Sequence, residues 1–459
     1  MHLLLAILWF NNVATHSFSS FLQPSCHDGE RAALLQFKNS FMINKDASFS
    51  YGAYPKVLGW KAEGESSNCC SWDGVECDAE TAHVIGIDLS SSFLFGSITS
   101  NSSLFLLSHL KKLNLADNNF NYSRIPPAIG KFSRMTYLNL SVSVFLGQIP
   151  SEISQLSKLS SLDLSSNYDK HTGEKLLVLK NPSFTSLVKN LTLLEKLKLG
   201  GTVISSMVPN FLANFSRLTW LHLRDCGLHG EFPAKIFQLT NLQVLDLGLN
   251  QKLTGYLPKF HQQSPLKVLK LSFRACNFSQ EIPPSLGKLS QLTYLDLGEN
   301  HLSGHIPSSL QNLTHLTFFS LSGNQLTGPI PSWIGNLTQL TDLWLSNNNL
   351  TGFIPSSFRN LLRLKFFYLH DNKLNGLLPS WFGELSQLSD LTLGNNNFTG
   401  SIPSSFQNLT KLTEIFLYGN HLNGGIPSWL GVEELECAAV VCPPNPPNPP
   451  KVTNHNQSS

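Results

Sequence analysis

Residue types able to do chemistry are plentiful in this 459-residue sequence, yet no short catalytic motif assembles them. The 15 histidines stand apart, with neither His-Glu-x-x-His nor paired Cys-x-x-Cys spacing to hold a metal. No Gly-x-Ser-x-Gly elbow presents a nucleophile, and no glycine-rich loop is placed to cradle a phosphate. Ser, His and Asp abound only where polar side chains face solvent. The reading is therefore no enzyme, no catalytic residue, no metal and no cofactor. A formal net charge of +2 with 14% charged residues gives no nucleic-acid footprint and no basic membrane patch. What remains is binding chemistry. The 8 cysteines cluster toward the ends, favouring an oxidising compartment. Asn-x-Ser/Thr acceptors stand at Asn101, Asn121, Asn139, Asn190, Asn214, Asn277, Asn312, Asn336, Asn349, Asn397 and Asn408. Aromatic residues recur at fixed intervals.

The elements that position those aromatics come from a repeated text. Between Val268 and about Leu430 a unit returns every 24 residues, with register positions at Val268, Leu292, Leu316, Leu340, Leu364, Leu388 and Leu412. Each reads Leu-x-x-Leu-x-Leu-x-x-Asn-x-Leu-x-Gly-x-Ile-Pro, as in Leu292, Leu295, Leu297, Asn300, Leu302, Gly304, Ile306 and Pro307. That spacing is the signature of a leucine-rich repeat. The Leu-x-Leu core puts two apolar side chains on one face of a short strand, and stacked neighbours bury what one unit cannot. Asn300, Asn324, Asn348, Asn372, Asn396 and Asn420 stand where the chain leaves the strand and can satisfy backbone groups buried there. Earlier units start at Val84, Leu110, Met135, Leu159, Leu194, Leu218 and Leu242, giving 14 in all, with small slips after Val84, Leu110 and Leu242. The unit from Leu159 runs 35 residues, and its extra text, near 168–190, predicts an outward loop and a helix on the convex side.

The flanks differ. Residues 1–20 read as a signal peptide, with an apolar run from Leu3 to Phe10. Residues 21–82 read as a cap: Glu30 to Lys38 has helical periodicity with Ala33, Leu34 and Phe37 on one face, followed by Asn68-Cys69-Cys70-Ser71-Trp72-Asp73-Gly74-Val75-Glu76-Cys77. The solenoid spans 83–431. Residues 432–459 read as a degenerate cap, with Cys437 and Cys442 as a candidate clasp, and a Pro-rich disordered tail. No run after the leader approaches the ~18 apolar residues that cross a bilayer. The expectation is a secreted, extracellular, soluble chain.

The Ala-Leu-Leu-x-Phe-Lys and Cys-Cys-x-Trp-x-Gly-Val-x-Cys segments, with the recurring x-Gly-x-Ile-Pro text, strongly resemble plant extracellular leucine-rich-repeat receptor-like proteins. The text from Leu176 to Leu199 resembles the Cf disease-resistance class among them. The resemblance implies Cys26–Cys69 and Cys70–Cys77 bridges, which spacing alone leaves open among three pairings. It also implies a second short sheet at the Gly-x-Ile-Pro segments. Its further implications are a plant-type α/β superhelix recognising a protein or peptide in immunity or development, and a co-receptor kinase as possible partner. Longer members are anchored in the plasma membrane. A polygalacturonase-inhibitor-like function is the alternative; such proteins usually have fewer repeats and lack the insertion. Cys226 and Cys276, both read at the Asn position, are two repeats apart, ~10 Å at strand spacing, and predict buried structural thiols rather than a bridge.

The candidate recognition residues are those that strand alternation turns out of the concave sheet. They are Tyr137, Trp220, Tyr294, Phe318 and Phe366 before the central leucine, and His222, Trp344, Tyr368 and Phe416 after it, with Arg224 and Tyr418 just beyond. Asp296, Glu299, Asp342, Asp371, Asp390 and Glu414 outnumber Lys365 in the C-terminal half, favouring neutral or basic ligands there. Lateral packing of aromatics on a sheet surface is the competing reading.

Overall fold

Three-residue strands are what the Leu-x-Leu text builds, because only the central residue and its two flanking leucines turn inward. In the computed structural model, which describes residues 25–64, 67–260, 264–271, 277–424 and 427, Tyr294–Asp296 is such a strand. Leu292, Leu295 and Leu297 beside it are fully buried. It pairs in parallel with Phe318–Ser320, matching Tyr294 to Phe318, Leu295 to Phe319 and Asp296 to Ser320. Repetition of this pairing gives a sheet of 15 strands. Fourteen come from the repeats; the first comes from the cap, whose Val75–Cys77 runs antiparallel to Val84–Asp88. The cap is thus hydrogen-bonded into the sheet it closes, which the sequence reading did not foresee.

Leaving each strand, the chain passes a left-handed residue and then, in most repeats, the Asn of the ladder. Asp117, Asp225, Glu299, Asn347, Asp371 and Asn395 hold φ between 51° and 57°, a region that Asn and Asp tolerate better than most residues. Glu299 and Asp371 therefore sit on this turn and not on the sheet face. The next side chain is buried. Asn348 Nδ2 donates to the carbonyls of Leu321, Leu345 and Ser346 at 2.9, 3.2 and 3.1 Å, while its Oδ1 accepts the Leu326 N–H at 3.0 Å. Asn300, Asn324, Asn372 and Asn396 repeat the pattern. Beyond the amide lies a second parallel sheet of nine strands, from His229–Glu231 to His421–Leu422. Gly304, Gly328, Gly352 and Gly376 turn out of it at φ near 80–90°, a backbone angle that glycine adopts without steric cost. A Pro then opens each 3-10 turn on the side opposite the long sheet, as Pro307 does for Ser308–Asn312.

Two expectations need correction. Val268 pairs with Val244 and Tyr294, so it occupies the position before the central leucine, and its unit begins at buried Leu266. The two extra residues therefore belong to the unit from Leu266 to Leu292, and Leu242 to Leu266 keeps the 24-residue period. The helix expected in the insertion forms, at Phe184–Val188, but its loop does not project outward. Lys170 Nζ donates to the Asp46 carbonyl of the cap at 2.6 Å and lies 4.4 Å over the Phe49 ring. Tyr122 donates to Asp169 at 2.7 Å, and Lys175 pairs with Asp225 at 2.6 Å. The loop is therefore a strap from the cap across the early repeats. The remainder of the insertion rejoins the repeat pattern. Leu177–Val178 pairs with Gly147–Gln148, and the helix Phe184–Val188 buries Phe184, Leu187 and Val188.

In the cap, the helix Asp28–Lys38 buries Ala33, Leu34 and Phe37, as its periodicity predicts. Cys26 is bonded to Cys69 and Cys70 to Cys77, each pair 5.4 Å apart between Cα atoms. Trp60 stacks on Trp72 with ring centroids 5.3 Å apart. The leader, Cys276, Cys437, Cys442 and the Pro-rich tail lie outside the described residues.

Candidate recognition face

Alternation along each strand decides what the long sheet presents. Leu343 and Phe367 are fully buried, and the residues on either side of them turn to the opposite face. In-register pairing then lines those residues up across the strands. Lys270 Nζ lies 4.4 Å over the ring of Tyr294. Tyr294 stacks on Phe318 at 4.1 Å, Phe318 meets Trp344 edge-on at 4.9 Å, and Trp344 stacks on Tyr368 at 5.2 Å. Tyr368 in turn touches Phe366 and His370 at 6.5 and 6.4 Å. Five consecutive strands thus carry one continuous row. Phe416 and Tyr418 form a separate pair at 6.3 Å, beyond a strand that presents Asp390 and Thr392.

The row packs on itself. Phe318 is only 8% exposed, wedged between its neighbours. Tyr294, Trp344, Phe366, Tyr368, Phe416 and Tyr418 are half-buried. The indole N–H groups of Trp344 and Trp220 are buried and have no hydrogen-bond partner among the described residues. Toward the cap the row becomes ionic. Lys198 pairs with Asp163 at 3.3 Å and caps the Trp220 ring at 4.6 Å; His222 lies 3.3 Å from Asp246. Burial pushes the Asp246 carboxyl up, but the hydrogen bond and charge of His222, the Gly248 amide and Lys270 outweigh it and hold Asp246 below its ordinary range. Tyr137 stands apart, half-buried, within reach of Asn139 at 3.4 Å. The C-terminal half is acidic in its field. Burial and then the charges of Asp390, Glu414 and Asp342 push the Tyr368 phenol up to about 12, so it stays a neutral hydrogen-bond donor at any physiological pH. Burial also raises Asp342, against Thr341 and Lys365.

Residues 27–78 match the family described as leucine rich repeat N-terminal domain, and residues 264–326 and 363–422 match leucine rich repeat. Receptor-like protein 6 of Arabidopsis thaliana is 40% identical over 302 residues, covering 64% of this chain and 30% of that protein. Receptor-like protein Cf-9 of Solanum pimpinellifolium is 40% identical over 286 residues, covering 60% and 32%. This chain is a plant leucine-rich-repeat protein of the receptor-like class. It spans about a third of the length of these curated relatives. Among solved structures, the ectodomain of the Arabidopsis receptor kinase HAESA, in complex with an IDA peptide hormone, superposes with a TM-score of 0.69 at 29% identity. That likeness covers 85% of this chain and 65% of the other. The plant peptide hormone receptor RGFR1, in complex with RGF2, gives 0.63 at 30% identity, covering 78% and 62%.

Most of the Asn-x-Ser/Thr motifs expected to accept glycans lie off the aromatic row. Asn312, Asn336 and Asn408 are exposed at the ends of 3-10 turns, and Asn349 and Asn397 are exposed on the second sheet. Asn101, Asn121, Asn190 and Asn214 are exposed as well. Asn139 differs: it is half-buried on the long sheet, and its Oδ1 accepts from the Ser141 amide and hydroxyl at 3.1 and 2.8 Å. Sequence reasoning overlooked the pairing of His222 with Asp246. The signal was there, since both occupy the same strand position in adjacent repeats.

Proposed function

We propose that this protein recognises an extracellular peptide, or an extended segment of a protein, laid across the strands of the long sheet from Lys270 toward Phe416. The observation that carries the reading is the unbroken row Tyr294–Phe318–Trp344–Tyr368 on adjacent strands. Aromatic side chains locked by mutual stacking lose little entropy on binding, and Tyr and Trp are the usual anchors of such contacts. Phe318, being buried, acts as the filler that holds Tyr294 and Trp344 upright. The carboxylates of Asp342, Asp390 and Glu414 beside Tyr368 favour a ligand segment that is neutral or basic there. The peptide-hormone complexes of the HAESA and RGFR1 ectodomains support the ligand class by analogy of fold. Recognition rather than catalysis is the proposed activity, in plant immunity or development, with a co-receptor kinase as the proposed second partner.

The test compares wild type with the Trp344→Ala, Tyr368→Ala double variant, each immobilised and exposed to the peptide fraction of apoplastic fluid. Peptides retained by the wild type should be lost from the variant, each anchor contributing about 2 kcal/mol, or roughly thirtyfold in affinity. Identical captures, together with a large drop in thermal stability of the variant, would mean that the row serves packing alone.

A further inference from the structure

A second cluster lies away from the recognition face, where the cap meets the first two repeats. Glu30 is carried by the cap helix Asp28–Lys38. His83 immediately precedes the first repeat strand, Val84–Asp88, and His109 immediately precedes Leu110, which opens the second repeat. Glu30 Oε1 lies 3.2 Å from His83 Nδ1 and 3.8 Å from His109 Nδ1, and one ligand atom from each of the three residues can be grouped within 4.8 Å of the others. The other carboxylate oxygen accepts the Val84 N–H at 2.9 Å, which fixes the orientation of the group. Glu30 is 11% exposed at its side chain, and the two imidazoles are 29% and 28% exposed, so the cluster is sheltered but reachable.

We propose that Glu30, His83 and His109 form a zinc-binding site that joins the cap helix to the first and second repeats. Two imidazole nitrogens and one carboxylate oxygen are a donor set suited to Zn²⁺, with a water completing the tetrahedron. Bonds of about 2.0–2.2 Å place tetrahedral ligand atoms about 3.3 Å apart, close to the spacings found between Glu30 and each histidine. The two rings stack at 3.7 Å and 14°, so binding tilts their Nδ1 edges toward the shared oxygen by side-chain rotation. His27 stacks on the other side of His83 at 4.0 Å, but its Nε2 lies 2.9 Å from the Thr81 carbonyl and it is not a ligand. Cys26, Cys69 and Cys70 are also close together, yet all are held in disulfides and offer no thiolate. Because the three ligands come from three separate segments, the ion binds only the docked cap and stabilises that docking by mass action.

The experiment titrates the full chain, stripped with chelator, with zinc chloride by calorimetry, and records the zinc X-ray absorption spectrum of the loaded protein. The expected result is one ion per chain in a shell of two imidazoles and a carboxylate. Glu30→Gln, which keeps an acceptor for Val84, and His109→Asn should each weaken binding at least about tenfold, and His27→Asn should leave it unchanged. A wild type that binds zinc no more tightly than Glu30→Gln and His109→Asn overturns the proposal. So does a His27→Asn variant that loses as much as His109→Asn, or a zinc shell without two imidazoles. If His109→Asn fails to fold, Glu30→Gln and the absorption spectrum still decide.

Discussion

In most repeats a single Asn side chain satisfies backbone groups from two adjacent repeats at once. Asn348 serves the carbonyls of Leu321, Leu345 and Ser346 and the amide of Leu326, all out of reach of solvent at a side chain only 8% exposed. Removing it leaves those groups unpaired, so Asn348→Ala should destabilise the local unit by about 1–3 kcal/mol. Chemical unfolding monitored at Trp344 checks the figure; a loss below ~0.5 kcal/mol would show that water replaces the amide. Cys226 fills the same place with less. Its Sγ lies 3.2 Å from the Leu199 carbonyl, and its amide donates to Asn250 Oδ1 at 3.0 Å. Burial pushes the thiol from 9.0 up to about 12, with smaller opposing contributions from the Thr202 and Gly201 amides and Lys175. The neutral form is therefore favoured in the fold. Its contribution to stability is fully present below pH ~9 and is lost as pH rises from there toward 12, because the unfolded chain ionises first. Native protein at pH 8 should leave Cys226 unalkylated by iodoacetamide for hours, while denaturant should expose it at once; peptide mapping reads the difference.

At the scale of elements, the strap formed by the insertion is the part that repeats alone do not explain. Asp169 accepts from the amides of His171 and Thr172 at 2.8 Å each and from the Tyr122 hydroxyl at 2.7 Å. The Thr172 amide, then Tyr122 and the His171 amide, hold its carboxyl far below the usual range. A depressed carboxylate contributes order that is present above its unfolded pKa and lost as pH falls through the folded value. The group is at the surface, so the effect on global stability should be small. Asp169→Ala should instead speed amide exchange across residues 168–176 at neutral pH while leaving the melting temperature within about 1 °C. Unchanged exchange in that segment would mean that Lys170 on Asp46 and Phe49, with Lys175 on Asp225, holds the strap without Asp169.

For the whole molecule the open question is how a solenoid ends. The cap closes one end with a strand, Val75–Cys77, and a helix whose Ala33 carbonyl accepts from buried Ser103 Oγ at 2.7 Å. Cys70–Cys77 pins that strand to the turn before it. Replacing both cysteines with serine should cost ~2–5 kcal/mol and be felt first in the neighbouring repeats, since the long sheet couples each repeat to its neighbours. Hydrogen exchange should show Ile87 and Leu113 losing protection while Leu391 keeps it. A uniform loss along the solenoid would contradict nearest-neighbour coupling. Among the described residues no helix is long and apolar enough to cross a membrane.

Much of this architecture was legible in the text, because period and burial obey the same rule. Leu292, Leu295 and Leu297 recur with a spacing that only stacked strands can bury, and the 14 units counted in the sequence are the 14 repeat strands of the long sheet. Alternation alone likewise puts Tyr294, Trp344 and Tyr368 on one face. What alternation cannot give is distance between units. A two-residue offset hid the true start at Leu266, since Val268 is also apolar and only pairing with Tyr294 distinguishes them. Whether neighbouring rings stack on one another or stand free is decided by rotamers, and Phe318 proved buried. The strap onto Asp46 and the meeting of Glu30 with His83 and His109 lay beyond sequence reading for the same reason. Residues 53 positions apart, as Glu30 and His83 are, carry no local pattern; only the docking of the cap against the first repeats brings them together.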